Sequence, residues 1–303
     1  MGPIRCLFAA IVLAAVTTAA AGTSERYVAA NASRIPNADF QGLGPGADVR
    51  TKDNQFAAAF AQIALDGATI DFGFDYQYTR YQYNEVDSRN RDLHRVQLPI
   101  WFSVPGERWQ LRAYVAPGIF TSSNVLGDFF NRVSSDDLYV SGRVEATRVG
   151  APVSWLIGIA HDRSFGESLT YPVLGLQLSP AESVDIRLAW PDPAVEFALN
   201  ERQSLSLRVY PAGNQWHVRT DDFSREFDYR FEAWRSQFNW NIGIAGSFSL
   251  DLSIGYEFNR SHHWTDDPGA RLDASADSQW LYAVGFRLGG GPLPLTHGYH
   301  LNR

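Results

Sequence analysis

Apolar and polar side chains alternate with a period of two along most of this chain, most clearly over residues 247–258. Phe248, Leu250, Leu252, Ile254, Tyr256 and Phe258 fall on one side of an extended strand, and Ser249, Asp251, Ser253, Gly255 and Glu257 on the other. A strict period of two over that length excludes a helix and predicts a β-strand. The polar side carries two carboxylates and must meet water. The opposite side is apolar throughout, with aromatic residues at both ends. That is the pattern of a strand with acyl chains on one face and a hydrated lumen on the other.

The alternation recurs. Ile70, Phe72, Phe74, Tyr76 and Tyr78 oppose Asp71, Gly73, Asp75, Gln77 and Thr79, and Val96, Leu98, Ile100, Phe102 and Val104 oppose Arg95, Gln97 and Ser103. Further apolar faces run through Trp109–Val115, Leu138–Ala146, 153–160, 171–178, Val184–Trp190, Val195–Leu199, Leu205–Val209 and Trp280–Leu288. Phe227, Tyr229 and Phe231 put the apolar set at odd positions, whereas Phe238, Trp240, Ile242 and Ile244 put it at even ones, which predicts a β-bulge near 235–237. Residues 54–65 are Ala-rich and fit a strand or a short helix. Residues 22–53 lack a sustained period and read as a periplasmic lead-in, and 289–303 as a C-terminal tail.

Turn lengths order these strands. Outer-membrane barrels have short periplasmic turns, longer external loops and an even strand number. Placing the end of the last strand in the periplasm puts 105–108, 150–152, 180–183, 200–203 and 245–247 inside, and 84–91, 121–137, 161–169 and 259–277 outside. Pro191, Asp192 and Pro193 must then be a very short external turn. The count from Ile70 is about 12, with 10–14 open, so the fold class is an all-β antiparallel transmembrane barrel over 54–288.

Residues 1–21 read as a secretory signal peptide: Arg5 precedes an apolar, Ala-rich run that ends in Ala19, Ala20 and Ala21. Cys6 is the only cysteine, so the mature chain, about 280 of the 303 residues, has no disulfide or thiolate metal site. No remaining stretch is long and apolar enough for a spanning helix. Aromatic residues make up 14% of the chain, which suits strands and interfacial girdles. Loss of Arg5 takes the formal charge from −7 to −8, which disfavours nucleic acid as a partner. Lys52 is the only lysine among 26 basic residues, which reads first as base-composition bias and second as a lumenal Arg–carboxylate network.

Three short patches carry a family likeness: Phe165 and Gly166 with residues 171–175, residues 190–193 with Val195, Glu196 and Phe197, and residues 255–260. With these the C-terminal two-thirds resembles a family of predicted Gram-negative outer-membrane β-barrels that carries only a domain-of-unknown-function label. The resemblance implies the fold and the outer membrane, and assigns no catalytic or binding residue. Many such barrels end on an aromatic residue, whereas here Phe286 is followed by further chain to Arg303.

Candidate chemistry is sparse. His161, Asp162, Arg163 and Ser164 contain a base and a nucleophile, but their spacing alone does not bring them into hydrogen-bond reach. His262 and His263 with Asp266 and Asp267 contain metal ligands, yet adjacent side chains on an extended chain point apart, and a solvated loop is favoured. No catalytic, cofactor or metal residue is assigned. The charges predicted to line the lumen are Arg95, Arg112, Arg143, Glu145, Asp185, Arg187, Glu196, Arg208, Arg230, Glu232, Asp251 and Glu257. They make either a salt-bridge filling or a pathway for small solutes, and at about twelve strands a filled or constricted lumen is favoured. The expectation is a monomeric, non-enzymatic outer-membrane barrel serving envelope structure or small-solute passage, its partners being membrane lipid, lipopolysaccharide and the barrel-assembly machinery. The alternatives are an outer-membrane enzyme acting on lipid or lipopolysaccharide, and a soluble periplasmic β-sandwich.

Overall fold

A computed structural model of the protein describes residues 26–289 except 87, 89, 151, 220–224 and 268–269, with backbone alone for 129–130, 265–267 and 270–272. The expected signal peptide and most of the expected tail lie outside the described residues. Among those residues seventeen strands join a single sheet. β1 (Tyr27–Asp39) pairs with β2 (Asp48–Leu65) on one edge and with β17 (Gln279–Gly289) on the other, which closes the sheet on itself. β3 (Ala68–Asn84) follows, then β4 (Arg91–Gln97) and β5 (Ile100–Val104), both held between β3 and β6 (Trp109–Ser122). β7 (Leu138–Arg148), β8 (Val153–Asp162), β9 (Leu169–Ala181), β10 (Val184–Trp190) and β11 (Ala194–Asn200) continue in order. β12 (Gln203–Pro211) and β13 (Asn214–Arg219) both lie on β14 (Glu226–Ala245). β15 (Phe248–Asp267) then carries both β16 (Ala270–Ala276) and β17. With β4/β5, β12/β13 and β16/β17 each counted as one interrupted strand, the ring has about 14 strands.

From β3 onward the number is the twelve expected from the sequence. The other two, β1 and the first part of β2, occupy the stretch read as a lead-in, and that reading is corrected. The reason is side-chain size: Val28, Ala30 and Ala32 face outward on β1 and make only a weak apolar stripe, while Tyr27, Ala29, Ser33 and Ile35 face inward and are buried. The Ala-rich residues 54–65 belong to β2 and are strand.

Over the lower part of the ring the outward faces are apolar and exposed. Trp155, Ile157 and Ile159 on β8, Leu252, Ile254 and Tyr256 on β15, and Trp280, Tyr282, Val284 and Phe286 on β17 all point away from the lumen. Ser249, Asp251, Ser253 and Glu257 on the opposite face of β15 are buried. Among the described residues these apolar faces cover no second sheet, so the sandwich alternative is excluded and the fold is a transmembrane barrel. Trp109, Trp155, Phe248 and Phe286 form a girdle toward the end where β1 starts and β17 finishes. Trp190, Trp234, Tyr256 and Trp280 form one at the loop end, where Tyr256 and Trp280 touch at 5.3 Å between centroids.

Toward the loop end the polarity inverts. On β14 odd positions face inward from Phe227 to Asn239 without interruption: Phe227, Tyr229, Phe231 and Ala233 above, Arg235, Gln237 and Asn239 below. The bulge expected near 235–237 is therefore absent. The bulge lies on β15, where Asn259 has φ 51° and the register against β14 shifts between Glu232 and Trp234. What changes along β14 is its surroundings. Inside the bilayer apolar side chains face out, and above it they face in, as in any water-surrounded β-protein. Of residues 259–277, expected as a polar connection, 259–267 are the upper half of β15 and Ala270–Ala276 are β16, paired to it antiparallel.

This upper tier closes differently. Above the short β10–β11 hairpin the wall dips, and β13 crosses the dip to bridge β6 in parallel, His217 opposite Thr121. Residues 163–168 lie across the dip as a strap. Gly213 N–H donates to Ser164 O at 2.7 Å, and Arg163 donates to Gln215 O at 3.0 Å. The Phe165 ring sits against Tyr171, Trp190 and Trp234. A Cβ on Gly213 would lie 2.5 Å from Gly166 N, so only glycine lets the strap approach.

The two tiers predict opposite responses to charge. Val284→Arg, at a belt position 50% exposed, should cost about 2–4 kcal/mol in urea unfolding from lipid vesicles. Arg230→Leu, outward in the upper tier, should stay within about 0.5 kcal/mol. Equal small effects at both would contradict a lipid belt.

Candidate functional site

Inward-facing residues of the lower tier interlock as ion pairs. Glu257, fully buried, accepts from Arg235 Nε at 3.0 Å through Oε1, and its Oε2 lies 3.3 Å from Arg260 Nε. Across the lumen Glu145 Oε1 takes Arg143 and Arg187, the latter at 3.0 Å, and Asp192 sits 3.4 Å from Arg143. Arg95 pairs with Asp75 at 2.8 Å. On β14 and β15, below Glu257, run amide and hydroxyl bridges such as Ser253 Oγ to Asn239 Oδ1 at 2.7 Å and Asn241 Nδ2 to Asp251 Oδ1 at 2.7 Å. A charge withdrawn from water needs such partners, which is why the inward arginines and carboxylates interleave.

Of the charges predicted from the sequence, Arg95, Arg143, Glu145, Arg208, Asp251 and Glu257 are buried in the lumen. Arg112, Asp185, Arg187 and Glu196 are inward and partly buried, with Asp185 directly opposite Glu196. Arg230 and Glu232 are corrected: they face out above the membrane, near Glu167 and His263 respectively. The same inversion brings in residues that the alternation hid. Arg235 and Arg260 enter the lumen next to aromatic neighbours on their own strands, and Asp192 enters from a Pro-flanked turn that read as external. Asp75 and Arg287 could have been found from strand parity alone.

Above the ion pairs lies an aromatic compartment. Tyr81, Trp216, Tyr229 and Trp264 are each at most 2% exposed and pack with Phe40, Tyr83, Phe120, Phe227 and Phe231. A hydroxyl chain runs through it, with Tyr83 OH 2.7 Å from Tyr229 OH and Tyr229 OH 2.6 Å from His262 Nδ1. His262 is fully buried, 4.9 Å from the Phe231 ring centre, rather than in a solvated loop. Its Nε2 and the indole Nε1 of Trp216 have no hydrogen-bond partner among the described residues. His263 points to the opposite face, 3.0 Å from Asp273 and 3.4 Å from Glu232, so the two histidines do not converge.

The other candidate pair does not assemble either. His161 is exposed and bonds Thr170 at 2.8 Å, whereas Ser164 is buried and donates to Asp162 at 2.5 Å. Asp162 also accepts from Tyr171 OH at 2.6 Å. Ser164 is thus tied into the strap, with no contact to the imidazole that would activate it.

Residues 65–272 match the family described as Domain of unknown function (DUF6268), and the chain belongs to that family. No curated protein matches the sequence. Among solved structures it is similar to an outer membrane channel from Pseudomonas putida F1, at 9% identity over 88% of this chain and 96% of that one, TM-score 0.49. A Pseudomonas aeruginosa FadL homologue is similar at 10% identity over 88% and 90%, TM-score 0.49. The Pseudomonas putida toluene transporter TodX is similar at 11% identity over 91% and 93%, TM-score 0.41. The barrel fold stands on the strand pairings described above.

Glu257→Ala would leave Arg235 and Arg260 buried without their counter-charge, and should cost about 3–5 kcal/mol in chemical unfolding from vesicles. A loss under about 1 kcal/mol would show that water already screens this cluster.

Proposed function

We propose that this chain is an outer-membrane channel for small solutes, held closed by the aromatic compartment of its upper tier. One observation carries the reading: a polar column crosses the membrane-facing tier and ends beneath a packed aromatic cluster that contains two unanswered nitrogens, Trp216 Nε1 and His262 Nε2. Buried polar atoms in native proteins nearly always find partners, so orphans in an aromatic cluster suit a transient occupant. The solute that fits is small, flat and largely apolar, with a hydrogen-bonding group for the indole N–H. Short turns at the end where β1 starts and β17 finishes, and long loops at the other, support the outer membrane, with the aromatic cluster on the external side. The ring closes within one chain, in keeping with a monomer.

The test is planar-bilayer recording combined with solute uptake into vesicles. The native chain should be electrically silent yet speed entry of small aromatic solutes. Tyr81→Ala with Tyr229→Ala should produce stepwise openings. Silence in that variant, with uptake equal to protein-free vesicles, would overturn passage and leave a structural role.

A further inference from the structure

The rim of the upper tier holds ligating side chains that the lumen does not use. The β13–β14 register sets His217 opposite Asp228 and Arg219 opposite Glu226. His217 is 7% exposed, with Nδ1 3.4 Å from Asp228 Oδ1 and Nε2 3.4 Å from Glu226 Oε2. Asp136, on the 3-10 turn Ser135–Asp137 of the β6–β7 loop, completes a set: ligand atoms of Asp136, His217 and Glu226 all lie within 4.8 Å of one another.

The surroundings fix this geometry. Gln215 Nε2 donates to Asp228 Oδ2 at 2.7 Å, and Asp228 in turn holds the Nδ1 side of the ring. A carboxylate on one imidazole nitrogen, with the other nitrogen free to ligate, is the supporting arrangement of metal-binding histidines. Ser134 N–H and Oγ both donate to Asp137 Oδ2, which anchors the turn bearing Asp136. Arg219 Nε lies 3.2 Å from Glu226 Oε2, while its Nη1 is tethered to Arg132 O at 2.8 Å. An arriving ion would displace only the first of these contacts.

We propose that Asp136, His217 and Glu226 bind a divalent transition ion with the ligand preferences of zinc, and that Asp228 and Gln215 position the imidazole. One imidazole and two carboxylates leave a fourth, water-filled position, and the imidazole disfavours calcium and magnesium. The ion would pin the β6–β7 loop to β13, the strand that closes the upper tier.

The test is calorimetric titration of zinc into the chelator-treated, detergent-solubilised full chain near neutral pH. One equivalent should bind, unaffected by excess calcium or magnesium. His217→Ala should abolish binding, and Asp228→Asn should weaken it about 10–100-fold. Asp136→Asn and Glu226→Gln, at exposed positions that do not threaten folding, should each weaken it too. His161→Ala should bind as the native chain does. No saturable zinc uptake, or uptake unchanged by His217→Ala or by both carboxylate variants, would overturn the site. Undiminished binding in Asp228→Asn would overturn the positioning role.

Discussion

The structure depends on one constraint: in a hydrocarbon layer every backbone N–H and C=O must be paired within the protein, and a closed antiparallel ring does this with strands. Closure follows from β1, which has a partner on each edge. Even the interruptions obey the rule. Where β4 gives way to β5, Leu98 N–H reaches Pro117 O and Gly73 N–H reaches Pro99 O, both at 2.9 Å, so the ladder survives a residue that has no N–H to give.

The ring is taller than its lipid belt, and this shapes the interior. Inside the bilayer the outward side chains are apolar and the inward ones charged. Above it, water surrounds the wall and the preference reverses, so the same strands gather Tyr81, Tyr229, Trp216 and Trp264 into the lumen. A barrel that alternated uniformly would have a polar interior from end to end. This one has an aromatic cap over a salt-bridged column, with Arg235, Glu257 and Arg260 at the boundary. The cap is what turns a lumen into a candidate gate.

The sequence made the lower tier legible because lipid on one side and water on the other impose alternation residue by residue, as in 247–258. It also revealed the turn lengths, and with them the strands from β3 onward. It hid β1 because alanine facing lipid has almost no hydrophobic signature. The inversion was hidden for a different reason: Phe227, Tyr229 and Phe231 alternate as cleanly as Phe238, Trp240 and Ile242, and periodicity cannot say which face is which. The assumption that apolar always meant outward misplaced Arg230 and Glu232 and suggested a bulge on the wrong strand. His262 was placed in a solvated loop for the same cause. The β13–β14 hairpin brings His217, Glu226 and Asp228 together, but Asp136 reaches them only from the β6–β7 loop beside the β6–β13 crossing, a contact that no local pattern announces.

Depth in the bilayer tests this two-tier account most directly. Cys6 is the only cysteine, so a single cysteine placed at Val284 or at Arg230 can be labelled with a fluorophore in the chain from residue 26 onward. The account predicts that the label at 284 is quenched by nitroxides on mid-chain lipid carbons and shielded from aqueous iodide, and that the label at 230 shows the reverse. Iodide quenching of both labels alike, with no response to the lipid-borne nitroxide at 284, would contradict it.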